Sequence, residues 1–445
     1  MKYVLARSTA AATLVTASSL VARPQSGCAP SLVFDVFPAQ APTTNYYFGR
    51  QTALSGDGRY LVVGAPAHMV QGVDTGVAWV IDLQTPGGAA EALLQPATLM
   101  PCQGFGHSAA ISYNGNVVIV GSFPQCGTLG RVRIYRRVNG MLTPTLSLTG
   151  VSQDMFGLDV SVSGDGNTVV VSSPLWFSGM PDRGAIFTFD WTGSTWVQSS
   201  ALFPHTIPLG VEGIGNNVEL SGDGQTLAFS TPWHHLDTVR TGVVYVMRRN
   251  GAGWVHQARL KEPVQHSTGG FGLGLAISHD GNIVAAGNPD DSRLAQLQGA
   301  VTIFRCLQSG WGYDNLILPT TYSNGTSFGG SVAMNAIGTQ VVAGGASHAG
   351  GLGLVETFTA PAIPGVPWTP VLSYVPTAPG PLGAGKSVSM NANGARWVAG
   401  ELRSDVYGPD AGRVLVFEAP CLNPTIYCTA QTNSLGCAAQ ITAQG

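Results

Sequence analysis

Three features of this chain put chemistry-bearing residue types at suggestive spacings. Gly380-Pro-Leu-Gly-Ala-Gly385-Lys386-Ser387 satisfies GxxxxGK[ST], the pattern whose backbone amides cradle phosphates where a helix begins. Gly106-His107-Ser108-Ala109-Ala110 approaches the nucleophile elbow of serine hydrolases but lacks its last glycine. His234-His235 with Asp237 offers imidazole and carboxylate ligands, yet adjacent residues of an extended segment point to opposite sides, so a surface loop is the better reading. Hydrolysis of a glycosidic bond needs two carboxyl groups facing one cleft. The chain holds only 24 Asp and Glu, and its motifs show no convergent pair.

The first two motifs lose their chemistry once the elements around them are read. Seven segments share a Phe-Gly or its equivalent, starting near residues 48, 105, 156, 214, 271, 328 and 384. Nine residues after each of these glycines stands another: Gly58, Gly115, Gly166, Gly224, Gly281, Gly338 and Gly394. A third glycine then opens an alternating apolar run, as in Gly76-Val-Ala-Trp-Val and Gly412-Arg-Val-Leu-Val-Phe, and the period is 51 to 58 residues. Within a unit, Arg50 to Ser55 reads as a strand and Gly56-Asp57-Gly58 as a hairpin turn. Tyr60-Leu-Val-Val-Gly64 follows as a strand apolar on both faces, then come the third strand and a fourth around Trp196, Trp254 or Trp368. Four antiparallel strands repeated radially make a propeller blade. Gly385-Lys386-Ser387 and Gly106-His107-Ser108 occupy equivalent repeat positions that begin strands, so nucleotide binding and a nucleophile elbow are both rejected.

The segment Phe48-Gly-Arg-Gln-Thr-Ala-Leu-Ser-Gly-Asp-Gly-Arg-Tyr-Leu-Val-Val-Gly-Ala-Pro66 resembles a full FG-GAP repeat, and the copies beginning at Phe156 and Phe271 are close variants. The resemblance spans about residues 31 to 420 and implies an all-β, seven-bladed propeller of the integrin-α N-terminal type. It does not by itself imply adhesion. Repeats of that family often carry a DxDxDG calcium loop between the first two strands. Here the turn is the shorter Ser55-Gly-Asp-Gly58, and the last two copies have no carboxylate, so no metal is expected there.

The seventh unit stops after its third strand, Arg413 to Glu418, while Ser31-Leu-Val-Phe-Asp-Val-Phe37 precedes the first Phe-Gly where other units have a fourth strand. The N-terminal strand is therefore expected to complete the last blade. That pairing would bring Cys28 beside Cys421, a bridge worth about 5 to 6 kcal/mol on the loop-entropy model. Cys102 and Cys126 flank the first two strands of blade two and form a second expected pair, worth about 3.5 kcal/mol. Cys428 would pair with Cys437 in the tail, leaving Cys306 as a buried odd thiol. A lipid-attachment role for Cys28 is the rival reading, although Gln25-Ser26-Gly27 lacks the apolar residue such sites need.

Residues 1–22, with Lys2 and Arg7 before a small apolar stretch, read as a secretory signal, residues 23–420 as the propeller and 421–445 as a cysteine-containing tail. Only 10% of residues are charged and the net charge is -3, which offers no field for nucleic acid. No later segment is long and apolar enough to span a membrane.

The loops joining second to third strands vary most, and in the integrin-like arrangement they share a face with the loops before Phe-Gly. Rigidly mounted loops are where recognition residues concentrate. Trp176, Phe177, Trp233, His234, His235, Asp290, Asp291, Arg293 and Tyr407 are the binding candidates, with Trp176, Phe177 and Trp233 able to form one aromatic patch or to cap the blade tops. The sequence thus points to a secreted or cell-surface interaction module, monomeric, binding extracellular protein or glycan without cofactor or catalytic residue. A carbohydrate-active hydrolase or lyase, or a purely structural surface protein, are the alternatives.

Overall fold

The computed structural model describes residues 18–22 (backbone only), 31–36, 46–85, 89–123, 126–151, 154–177, 183–202, 214–233, 235–236, 239–263, 269–363, 365–377, 382–406 and 409–419. These form a seven-bladed β-propeller of four-stranded antiparallel sheets. Blade one is typical: Gln51–Leu54, Tyr60–Ala65, Val77–Asp82 and Ala89–Leu94, paired in that order. Its second strand is buried along its whole length, because sheets cover both faces. Seven apolar clusters fill the seven gaps between neighbouring blades.

Ring closure follows the sequence expectation. Ser31–Val36 pairs antiparallel with Arg413–Glu418, from Ser31 opposite Glu418 to Val36 opposite Val414. A buried ion triad marks this junction: Arg413 donates from Nε to Glu401 at 2.5 Å and from a terminal nitrogen to Asp35 at 3.2 Å. Breaking one member of such a triad leaves a buried charge unpaired, which fixes the register of the closing strand. A further strand, Ser18–Ala22, extends blade six beyond Thr369–Pro376. An outer edge presents unpaired backbone groups and readily accepts such an addition.

The repeated residues have local jobs. In the first turn, Ser55 Oγ accepts from Tyr60 N at 2.8 Å and donates to Asp57, which also takes Arg59 N. Asn335 does both jobs alone in blade six, accepting from Thr339 N and Gln340 N, which explains why that copy needs no Ser-x-Asp. The Phe-Gly glycine and the glycine ending the second strand are required by close approach. Gly49 has φ +90°, and a methyl on Gly64 would lie 1.9 Å from the Gly106 carbonyl oxygen of the next blade.

Cys102 and Cys126 are bonded, as expected. Cys306 corrects the cysteine assignment: it is disulfide-bonded and only half-buried on the third strand of blade five, Ala300–Leu307. With Cys102 and Cys126 taken, its partner within this chain is Cys28, Cys421, Cys428 or Cys437, all outside the described residues. The expected pairs Cys28–Cys421 and Cys428–Cys437 therefore cannot both hold. Cys306 sits opposite Trp311, near the end of the strand and outside the buried run Ala300–Phe304.

Candidate functional site

The first strand of each blade lines the central channel, and its period of two decides what faces inward. Counting from the Phe-Gly glycine, residues at +3 and +5, such as Val218 and Leu220 or Val388 and Met390, enter the cores between blades. Residues at +1, +2 and +4 are left to line the channel, a cavity of about 680 Å³. At +2 and +4 most are small: Ser108 and Ala110, Ser331 and Ala333, Ser387 and Ser389.

One end of the channel is closed. At the hairpin turns a ring of seven backbone hydrogen bonds runs around the axis, from Asp57 N to Tyr113 O, through Gly164, Gly222, His279, Ala336 and Ala392, and back to Gly56 O. The ring positions are small except for Tyr113 of blade two and His279 of blade five. Those two blades are not neighbours, yet the rings lie 5.1 Å apart, so they meet across the axis and floor the channel. A methyl on Gly222 would lie 2.0 Å from His279 Nδ1 and one on Gly56 2.5 Å from the Tyr113 ring, so glycine there makes room for the plug. Mouth and floor are separated by six residues of strand, roughly 20 Å.

The open end carries the +1 residues, and here the blades diverge: Arg50, His107, Leu158, Asn216, Leu273, Gly330 and Lys386. Lys386, Arg50 and His107 come from the consecutive blades seven, one and two. Arg50 donates to His107 Nε2 at 3.1 Å, which requires a neutral imidazole. Burial, with the charges of Arg50 and Lys386, pushes His107 down to about 3. Lys386 is exposed to the channel, yet the surrounding wall and Arg50 lower it to about 8. Among the described residues neither Arg50 nor Lys386 forms an ion pair. A second hollow of about 640 Å³ over blades one and two, bordered by Tyr47, Asp74, Phe123 and Arg403, shares Arg50 and His107 with the channel.

Two carboxyl groups occupy the wall of blades three and four. Asp159 accepts from Val160 N at 3.0 Å and from Val218 N of the next blade at 2.8 Å. Burial nonetheless pushes it up to about 6. Glu219, which accepts from Ser161 at 3.3 Å, is pushed up to about 8 by burial and the nearby Asp159 charge.

Of the binding candidates named above, Asp290 lines the channel, with burial raising its carboxyl. Asp291 is fully buried and holds its loop together, pairing with Arg293 and accepting from Gln298 at 3.0 Å. Arg293 also reaches the buried Glu262, at 3.8 Å. Trp233 is 46% exposed just after the second strand of blade four. Trp176 and Phe177 end the long second strand of blade three, Thr168–Phe177, and His235 lies on a two-residue hairpin strand, His235–Leu236. His234 and Tyr407 lie outside the described residues. The channel set Arg50, His107, Lys386, Asp159 and Glu219 was missed, because His107 and Lys386 were set aside as repeat framework. The available signal was variability: the residue after the near-constant Phe-Gly is Arg, His, Leu, Asn, Leu, Gly and Lys in the seven copies.

No family model and no curated protein matches this chain. Among solved structures, it is similar to hydrazine synthase from Kuenenia stuttgartiensis, with a TM-score of 0.53, 15% identity, and 86% of this chain and 98% of that one covered. It is equally similar to Sqt1 from Chaetomium thermophilum, with a TM-score of 0.53 and 15% identity over 84% and 97% of the two chains. Sqt1 bound to the N-terminus of ribosomal protein L10 gives 0.51 and 15%, over 83% and 96%. At this identity the likeness shows the propeller fold alone.

Proposed function

We propose that this chain is an exported, non-catalytic recognition module that binds protein or glycan on the face carrying the second-to-third-strand loops. One observation carries the reading: the channel is floored by Tyr113 and His279 at the hairpin-turn end, and among the described residues no carboxylate forms an ion pair with the Arg50 and Lys386 cations on its other rim. The glycines opening the third strands bridge to the Phe-Gly residues of the next blades, as Gly76 does to Phe105, so the variable loops and the channel mouth share one rim. A similar propeller with the N-terminus of a ribosomal protein bound supports a polypeptide ligand. The Cys102–Cys126 bridge and the N-terminal segment support export. The FG-GAP resemblance supports an extracellular partner.

The test is a screen of oxidised residues 23–445 against extracellular-protein and glycan arrays, with Trp233→Ala alongside. Binding weakened by that change establishes the loop face, and a folded protein that binds nothing refutes the reading. Asp159 and Glu219 favour one other reading, acid–base hydrolysis, since one carboxyl would be charged and the other protonated near neutrality. Asp159 spends both oxygens on backbone amides, which leaves it poorly placed as a nucleophile. Turnover of any glycan or peptide in the screen, abolished by Glu219→Gln, would reverse the choice.

A further inference from the structure

We infer that Arg50 and Lys386 form a carboxylate-binding site at the channel mouth, and that its ligand is a single Asp, Glu or chain-terminal carboxylate of an acidic polypeptide entering from the loop face. The inference deepens the recognition reading and rests on it. Arg50 uses one nitrogen on His107 and keeps the rest of its guanidinium fork for a ligand, and a fork matches a carboxylate with two parallel bonds. Lys386 supplies a point charge from the adjacent blade. His107 cannot compete as a third cation, because it accepts from Arg50 and stacks on Phe123 with ring centroids 4.9 Å apart.

The opposite wall selects among anions. Asp159 lines the same channel and Glu219 holds a proton beside it near neutrality, so an entering charge of two or more would be repelled by the Asp159 carboxylate more strongly than a single carboxylate. The channel walls favour a polypeptide over a sugar acid. Below the mouth most wall positions are Ser, Ala, Asn and Gly, beside Gln51, Asp159 and Glu219, which suits an extended chain, and among the described lining residues the one large aromatic ring is Tyr113, down in the floor. The occupant is thus fixed by charge complementarity at the mouth and by narrow, small-residue walls below it.

The experiment is calorimetric and array-based titration of the whole oxidised protein with hexapeptides each bearing one Asp or Glu, their Asn or Gln twins, glucuronate and inorganic phosphate. Acidic peptides should bind at least tenfold more tightly than their amide twins, and Lys386→Met should erase that preference without changing the melting temperature. Arg50→Gln should do the same, but Lys386→Met decides, since no described bond depends on it. Tighter binding of phosphate, binding of glucuronate in preference to every peptide, or an unchanged preference in Lys386→Met would overturn the assignment. Peptide binding that survives Lys386→Met but is lost in Trp233→Ala would overturn this site and leave the recognition face standing. No binding of any kind would remove both.

Discussion

The junction between blades seven and one and the junction between blades three and four use the same two strand positions to opposite electrostatic effect. In the first, Ser387 donates to Gly49 O at 2.9 Å and Ser389 accepts from Leu54 N at 2.9 Å. In the second, Ser161 likewise accepts from Leu220 N at 3.0 Å, but the position of Ser387 is taken by Asp159, which accepts from Val218 N. The glycine that ends the second strand, Gly400 in blade seven, is Ser172 in blade three, and Ser172 Oγ accepts from Asp159 N at 2.9 Å. A hydroxyl where the repeat has hydrogen thus holds the strand start apart from its neighbour and leaves a carboxylate on the channel wall. The lesson is that one repeat geometry can be bolted with neutral or ionisable groups, and only the second kind responds to pH.

Gly400→Ala breaks the first junction most severely. Its methyl would lie 2.1 Å from Gly49 O, a β-carbon against a backbone carbonyl that has no rotamer to yield, so the blades must part. A loss of roughly 4 kcal/mol is expected in denaturant unfolding. Ser172→Ala at the equivalent place already fits a β-carbon and should cost about 1 kcal/mol, one hydrogen bond. Equal losses would mean the two junctions are packed alike.

The second junction should show itself as pH dependence. Glu219 titrates near 8 when folded and near its ordinary 4.5 when unfolded. The folded state therefore holds a proton the unfolded state has shed, and the stabilisation present below pH 4.5 is lost as pH rises through 8. Buried histidines act in the opposite sense, His68 falling to about 4 and His107 to about 3, but their contribution is complete above about pH 6.5. Lys386 begins to oppose Glu219 only above about 8. Between pH 6.5 and 8 the slope should be negative, at most about 1.4 kcal/mol per pH unit from Glu219, with Glu262, raised to about 7, adding in the lower part. Glu219→Gln should flatten it, and an unchanged slope in that variant would assign the pH response elsewhere.

The ring, its blade number and its closure by residues 31–36 were legible because each repeat copy reports the same backbone requirement, and the Cys102–Cys126 bond because both cysteines flank strands of one blade. The channel set was not, because single residues at one register position carry it and pattern averaging hides them. Arg50, His107 and Lys386 lie far apart in sequence and become neighbours only when the ring closes. Tyr113 and His279 were likewise hidden, since only the circular arrangement makes two non-adjacent blades face each other. The disulfide at Cys306 could not be read at all, because an isolated cysteine in a strand gives no indication of a partner brought from elsewhere in the chain.

Asp159→Ala tests the carboxylate bolt itself. It removes the acceptor from Val160 N and Val218 N, and the expected cost is about 1 to 2 kcal/mol, of the order of a hydrogen bond to a charged group. Asp159→Asn keeps an acceptor oxygen for one amide and should recover about half. Recovery in full would mean the charge contributes nothing beyond its shape.

Lys386→Met should have the smallest effect on folding and so separates the two sectors most cleanly. Lys386 has no ion pair among the described residues and stands exposed in the channel, whereas its strand neighbours Ser387 and Ser389 carry the junction. Removing its charge relieves repulsion with Arg50, so stability at pH 7 should change by less than about 0.5 kcal/mol or rise slightly. His107, freed of that neighbour, should titrate slightly higher by NMR, still well below the ordinary imidazole range because burial is the larger cause. A marked loss of stability would show instead that Lys386 is part of the blade seven–one bolt, and the cationic mouth would then be a structural feature of ring closure rather than a surface kept open for a ligand.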